Sequence, residues 1–114
     1  MQTTFVIETR GRGLTEFTGD CAAWIGSAGG DGVLTLLVRH TSCSLLIQEN
    51  ADPDVRRDLR AWLDRFVPDA DAPEMSYLTH VTEGPDDMPA HLKAALLPVS
   101  LQIPVSDGRM RLGR

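Results

Sequence analysis

VLTLLVRHTSCSLLIQEN, residues 33–50, carries the most apolar run of the chain directly into a cluster of polar side chains. The run at residues 33–38 is aliphatic and partly β-branched, which is typical of a core strand. His40 follows it, then hydroxyl and thiol groups, and Glu49 comes a few residues later. Polar groups at the end of a buried strand are held in fixed positions on a rigid scaffold. We therefore expect a functional site in this stretch.

The composition is that of a globular protein. The chain has 114 residues, 42% of them hydrophobic and 24% charged, and shows no internal repeat or linker, so we expect a single compact domain over residues 1–114. A net charge of −5 disfavours binding to nucleic acid. No apolar run approaches the ~18 residues of a membrane span and the N-terminus lacks a signal-peptide pattern, so we expect a cytoplasmic protein without membrane contact. Cys21 and Cys43 are then expected to be free thiols.

Hydrophobic periodicity predicts three helices. Apolar residues recur at helical spacing in residues 21–28, in residues 55–66 and again after residue 87. Asp52 is a typical N-cap for the second helix, and Pro53 suits its first position. This second helix is the clearest element of the sequence.

Alternation of apolar and polar residues predicts strands at both ends of the chain. Short extended patterns occur at residues 2–9, 14–17, 42–48 and 77–81. At the C-terminal end, Asp107-Gly108 is a strong two-residue hairpin signal between two strands. Terminal strands with helices between them predict an α+β fold, with a mixed and mostly antiparallel sheet covered by about three helices.

The three histidines stand where chemistry is expected. His40 ends a core strand, His80 ends an extended segment, and His91 lies in the first turn of the third helix on its apolar face. Neutral imidazoles from different elements are ligands that Zn²⁺ prefers, and three of them leave a position for water. Glu49 is a candidate base, or a partner that orients an imidazole. The residues alone leave open that these are three separate core histidines.

Two other interpretations of these segments remain. Backbone N–H groups at the start of the third helix could bind a phosphate near His91, although Asp86 and Asp87 would repel it unless a metal ion lay between them. Cys43 close to His40 suggests a Cys–His nucleophile. The side chains of residues 40 and 43 leave opposite faces of a regular strand, which disfavours that pairing.

Several strings of the sequence closely resemble the YjbQ-like family. They are HTSCSL at residues 40–45, QENADPDV at 48–55, and EGPDDMPAHLK at 83–93 with His80 just before it. IPV at residues 103–105 and the Leu112-Gly113 pair extend the resemblance to the end of the chain. The combination of GPDDMPAH with an upstream HTSCSL is specific to this family.

The resemblance implies more than the spacing does. It implies a compact α+β subunit assembled as a homotrimer, with a divalent metal ion, Zn²⁺ being favoured, near the matching residues His40, His80 and His91. Family members are often labelled secondary thiamine-phosphate synthases, transferases that would join a pyrimidine diphosphate to a thiazole phosphate. The expected function is thus a metal-dependent enzyme acting on a phosphorylated small molecule, and the alternative is a non-catalytic trimeric metal- or phosphate-binding module.

Catalytic roles would then fall to Glu49, Asp86 and Asp87, with Glu49 as general base or orienting residue and the two aspartates around the metal ion. The family pattern usually continues past Leu112-Gly113 with Thr-Trp-Gln-Gly and another apolar strand. This sequence ends at Arg114. The resemblance therefore predicts a domain without that last strand.

Overall fold

The computed structural model describes residues 1–113. In chain order the elements are α1 (Thr18–Ala28), β1 (Gly32–Leu37), α2 (Pro53–Phe66), a short 3-10 helix (Pro73–Met75), α3 (Asp87–Leu96), β2 (Ser100–Ser106) and β3 (Arg109–Met110). The three strands form one sheet in the order β1-β2-β3, and β2 pairs antiparallel with β3. The predicted α+β class, with three helices and a mostly antiparallel sheet, is confirmed. The expectation about a strand beyond Gly113 lies outside the described residues.

Residues 1–35, together with the chain from Gln102 onward, form one compact unit. Helix α1 packs against β3 in this unit. The buried side chains of this unit are Cys21, Ile25, Leu34, Ile103 and Val105. Cys21 and Ile25 are four residues apart, so the predicted apolar stripe of α1 is the face that is buried. The helix begins at Thr18, and its N-cap residue Phe17 makes no side-chain capping bond.

The C-terminal hairpin has the predicted two-residue loop. Asp107 and Gly108 both have positive φ, 50° and 67°. The two-residue hairpin turn whose twist matches that of its flanking strands requires positive φ at both positions. The Gly108 N–H donates to the Gly30 carbonyl at 2.8 Å, and a Cβ at position 108 would lie 3.4 Å from the Gly29 Cα. Glycine therefore meets two requirements at this position, the backbone conformation and the close approach.

Residues 36–101 form the second unit, which contains α2 and α3. The Asp52 carboxylate accepts from the Asp54 N–H at 2.9 Å, so the predicted start of α2 is confirmed. No side chain of α2 is fully buried, and Trp62 and Phe66 stack on the exposed side with ring centroids 5.0 Å apart. Lys93 of α3 donates to Asp64 of α2 at 3.1 Å. This contact ties the two helices together.

Four predicted strands are absent. Residues 2–9, 14–17, 42–48 and 77–81 are not in strands. An alternating apolar and polar pattern indicates only which face of a strand each residue would occupy. Forming a strand also requires a neighbouring strand to pair its backbone hydrogen bonds. In residues 42–48 only Leu45 is buried, and its N–H donates to the Pro98 carbonyl at 2.8 Å rather than to a neighbouring strand.

Within residues 1–113, no helix combines the length and the apolar character needed to cross a bilayer.

Leu34 and Leu37, two of the leucines of β1, provide a matched test of the described burial. Leu34 is 5% exposed and Leu37 is 66% exposed. We expect Leu34→Ala to lower the free energy of unfolding by about 2–5 kcal/mol, because it leaves a cavity. Leu37→Ala should cost less than about 1 kcal/mol. Urea unfolding followed by circular dichroism measures both, and equal losses would contradict the described burial.

Candidate metal site

Two histidines and an aspartate come together in the second unit. One nitrogen of His80, one carboxylate oxygen of Asp87 and one nitrogen of His91 all lie within 4.8 Å of one another. The Asp87 Oδ2 atom is 2.9 Å from His80 Nε2 and 3.3 Å from His91 Nε2. We call these three residues the His-Asp-His cluster. Each presents a typical donor atom for a divalent metal ion.

Helix α3 supplies two members of the cluster. Asp87 and His91 are four residues apart, so they share one face of the helix at its first turn. His80 comes from the segment before the helix, which returns toward it through Gly84 at φ 106°. The Pro85 carbonyl accepts from the Ala70 N–H at 2.7 Å and fixes this segment within the unit. The local sequence from residue 80 to residue 91 thus builds the whole cluster.

One hydrogen bond decides which ring nitrogen of His91 carries the proton in the neutral form. Its Nδ1 lies 2.9 Å from the carbonyl oxygen of Thr41. A carbonyl can only accept, so Nδ1 carries the proton and donates it. In the neutral ring the Nε2 lone pair is then directed at the cluster, which is the arrangement usual for histidines that bind metals.

The charges of the cluster favour a cation. The hydrogen bond to Asp87, and next the one to Glu83, raise the pKa of His80 above its ordinary value of 6.5. The bond to His80 in turn lowers the pKa of Asp87. The His80 side chain is 46% exposed, so solvent reaches the group. Without a metal ion, a proton on His80 supplies the positive charge that the carboxylates attract.

His40 is not among the three grouped donors. Its Nδ1 accepts from the Ser42 N–H at 3.0 Å and lies 2.9 Å from the Ser42 hydroxyl. A neutral imidazole that accepts at Nδ1 carries its proton on Nε2, so ligation through Nε2 would move the proton to Nδ1 and break the bond from the Ser42 N–H. The structure brings His80 and His91 together, and the convergence of all three imidazoles stays a prediction.

The predicted catalytic acids are placed differently from one another. Asp87 belongs to the cluster, whereas Asp86 is the N-cap residue of α3 and its side chain makes no capping bond. Glu49 is exposed, and its backbone N–H donates to the Gln48 side chain at 2.9 Å. Their catalytic roles stay predictions.

The sequence did not single out Glu83, which lies 3.2 Å from His80 Nε2. Its position three residues after His80 was the available signal.

Comparison with known proteins identifies the family. A sequence profile for the family described as "UPF0047 protein YjbQ-like" matches residues 3–114. The chain belongs to this YjbQ-like family. It is 44% identical over 113 residues to a UPF0047 protein of Synechocystis sp., covering 98% of this chain and 74% of the relative. It is 49% identical over 82 residues to the YjbQ protein of Salmonella typhimurium, covering 72% of this chain and 56% of that relative. The chain thus spans little more than half of the Salmonella protein.

Solved structures of the YjbQ-like family share the fold. A conserved hypothetical protein of Thermus thermophilus is similar with a TM-score of 0.74 and 36% identity, over 90% of this chain and 74% of that one. A YjbQ/UPF0047 family protein of Clostridium acetobutylicum is similar with a TM-score of 0.70 and 33% identity, over 85% and 70%. Both are described as hypothetical or uncharacterised, so they support the fold and assign no activity.

Removing the Asp87 carboxylate tests the electrostatics of the cluster. In metal-free protein we expect the pKa of His80 to lie above 6.5, and to fall toward it in Asp87→Asn, because the largest cause of the rise is lost. The stability from this contact is fully present below pH 6.5 and is lost as the pH rises through the raised pKa. NMR titration of the histidine resonances measures the shift. Asp86→Asn is the neighbouring control, and an equal effect of both variants would contradict the described pairing.

Proposed function

We propose that the His-Asp-His cluster binds a divalent metal ion. The observation that carries the proposal is that one donor atom each of His80, Asp87 and His91 lies within 4.8 Å of the others. The donation from His91 Nδ1 to Thr41 supports it, because it leaves the other nitrogen free to ligate. Zn²⁺ is the favoured ion, since two imidazoles and a carboxylate form one of its catalytic ligand sets. Three protein donors leave room for water or substrate.

We further propose that the metal ion serves an enzyme acting on a phosphorylated small molecule. A bound dication would neutralise charge on a phosphate or on a departing diphosphate. The exposure of His80 and Glu83 supports this role, because a hydrated anion can reach the cluster from solvent. The site is proposed to work in the cytoplasm, where Cys21 and Cys43 remain the free thiols that the structure describes.

The specific reaction we propose to test is a thiamine-phosphate synthase-like condensation. The thiazole ring nitrogen attacks the methylene carbon of the pyrimidine diphosphate, forming a C–N bond. The C–O bond to the diphosphate breaks, and pyrophosphate leaves with the bonding electron pair. The step balances without an oxidant or a reductant. Glu49 would act as general base or orienting residue, Asp86 would lie around the metal ion, and the active assembly is proposed to be a homotrimer.

Metal content tests the site directly. Protein purified without chelator or affinity metal should hold about one divalent ion per chain by elemental analysis. His91→Ala should lose the ion while circular dichroism shows a retained fold, and Asp86→Asn should keep it. His40→Ala distinguishes the two possible ligand sets. If the His-Asp-His cluster holds the metal ion, this variant should retain it. If the three histidines implied by the family resemblance hold it, the variant should lose it. An absence of metal from the unsubstituted protein would contradict the proposal.

Turnover tests the enzyme. We expect the metal-loaded chain to release pyrophosphate from a pyrimidine diphosphate in the presence of a thiazole phosphate. Glu49→Gln should lower this rate at least about tenfold while metal content is unchanged, as expected for a base or orienting group. Metal binding without turnover on any phosphorylated substrate would instead support the non-catalytic trimeric module. Light scattering with and without chelator would then show whether the metal holds the trimer together.

A further inference from the structure

We propose that Glu83 is a fourth protein ligand of the metal ion, an inference that rests on the proposed metal site. Its Oε2 lies 3.2 Å from the Nε2 of His80, the same nitrogen that contacts Asp87. Two carboxylates therefore face one imidazole nitrogen.

The change in charge when a metal ion binds favours movement of the Glu83 side chain toward the ion. In the described structure the His80 N–H can satisfy both carboxylates. A metal ion on His80 Nε2 displaces that proton, because a ligating nitrogen must offer its lone pair. Glu83 then loses its donor and faces the like charge of Asp87. Ligating the ion removes this repulsion.

The Glu83 side chain is free to make that move. It is 65% exposed, so most of the side chain is surrounded by solvent and has room to rotate. Its oxygen lies outside the group of three donors within 4.8 Å, so some rotation is required. Gly84 follows directly at φ 106°, a backbone conformation that turns the chain between Glu83 and α3. The turn keeps Glu83 close to the cluster, whereas its exposure leaves the side chain free to rotate.

The consequence is a ligand set of two imidazoles and two carboxylates. A second carboxylate adds negative charge and a hard oxygen donor, which strengthens binding of divalent ions in general. It also leaves fewer open positions for water. Glu83 would thus control both the affinity of the site and the number of substrate atoms that the ion can accept.

Cobalt provides the test, because the visible spectrum of Co²⁺ depends on the number and type of its ligands. Metal-free protein, Glu83→Gln and Glu74→Gln would each be titrated with Co²⁺ by calorimetry and then measured at saturation by absorption. Glu74 is an exposed glutamate in the short 3-10 helix, so its substitution makes the same charge change away from the cluster. We expect Glu83→Gln to weaken Co²⁺ binding at least about tenfold and to change the spectrum. Glu74→Gln should do neither.

The outcomes separate this inference from the site on which it rests. Co²⁺ binding with unchanged affinity and spectrum in Glu83→Gln would overturn the fourth ligand and leave the His-Asp-His site intact. Weaker binding with an unchanged spectrum would also overturn it, because Glu83 would then act only through its charge. No Co²⁺ binding by the unsubstituted protein would overturn both proposals.

Discussion

The hydrogen bond from His91 Nδ1 to the Thr41 carbonyl is the interaction on which the candidate site depends. At 2.9 Å it joins helix α3 to the segment that follows β1, fifty residues earlier in the chain. It fixes the orientation of the ring and decides which nitrogen faces Asp87. Without it, His91 could turn or exchange protons between its nitrogens, and the cluster would lose a defined donor. The polar segment after the first strand therefore contributes its backbone to the site.

Charge is the second constraint on the cluster. Asp87 and Glu83 place carboxylates against His80 in a solvent-exposed position, and the two like charges favour a cation beside them. A proton on His80 meets this need in the metal-free protein. A divalent ion would meet it more fully, because it would engage both imidazoles as well as the acids. Protons and the proposed metal ion would compete for the same atoms, so the affinity for that ion would depend on pH.

Local rules explain which parts of the fold the sequence predicts. The Asp52 cap, the stripe of α1 and the Asp107-Gly108 turn depend on residues within a few positions of each other, and the structure confirms them. The strands predicted at residues 2–9 and 42–48 depend on partners elsewhere in the chain, and alternation carries no information about those partners. The exposure of Trp62 and Phe66 on α2 likewise could not be read from helical periodicity.

The candidate site shows the same division. His80, His91 and Asp87 were identified from residue type and position, but their grouping with one another required the turn at Gly84 and the bond to Thr41. Glu83 was missed because the one available signal, its position three residues after His80, does not distinguish it from other acids in polar loops. His40 was singled out for its place after a core strand; its ring accepts from the Ser42 N–H, and its role as a metal ligand stays a prediction.

The most direct measurement is a crystal structure of the protein soaked with Zn²⁺, with diffraction data collected on both sides of the zinc absorption edge. The account predicts one anomalous peak per chain, bonded to His80 Nε2, His91 Nε2 and Asp87 Oδ2, with His91 Nδ1 still donating to Thr41. A peak that contacts none of these three side chains, or no peak at a concentration that saturates binding in solution, would contradict it.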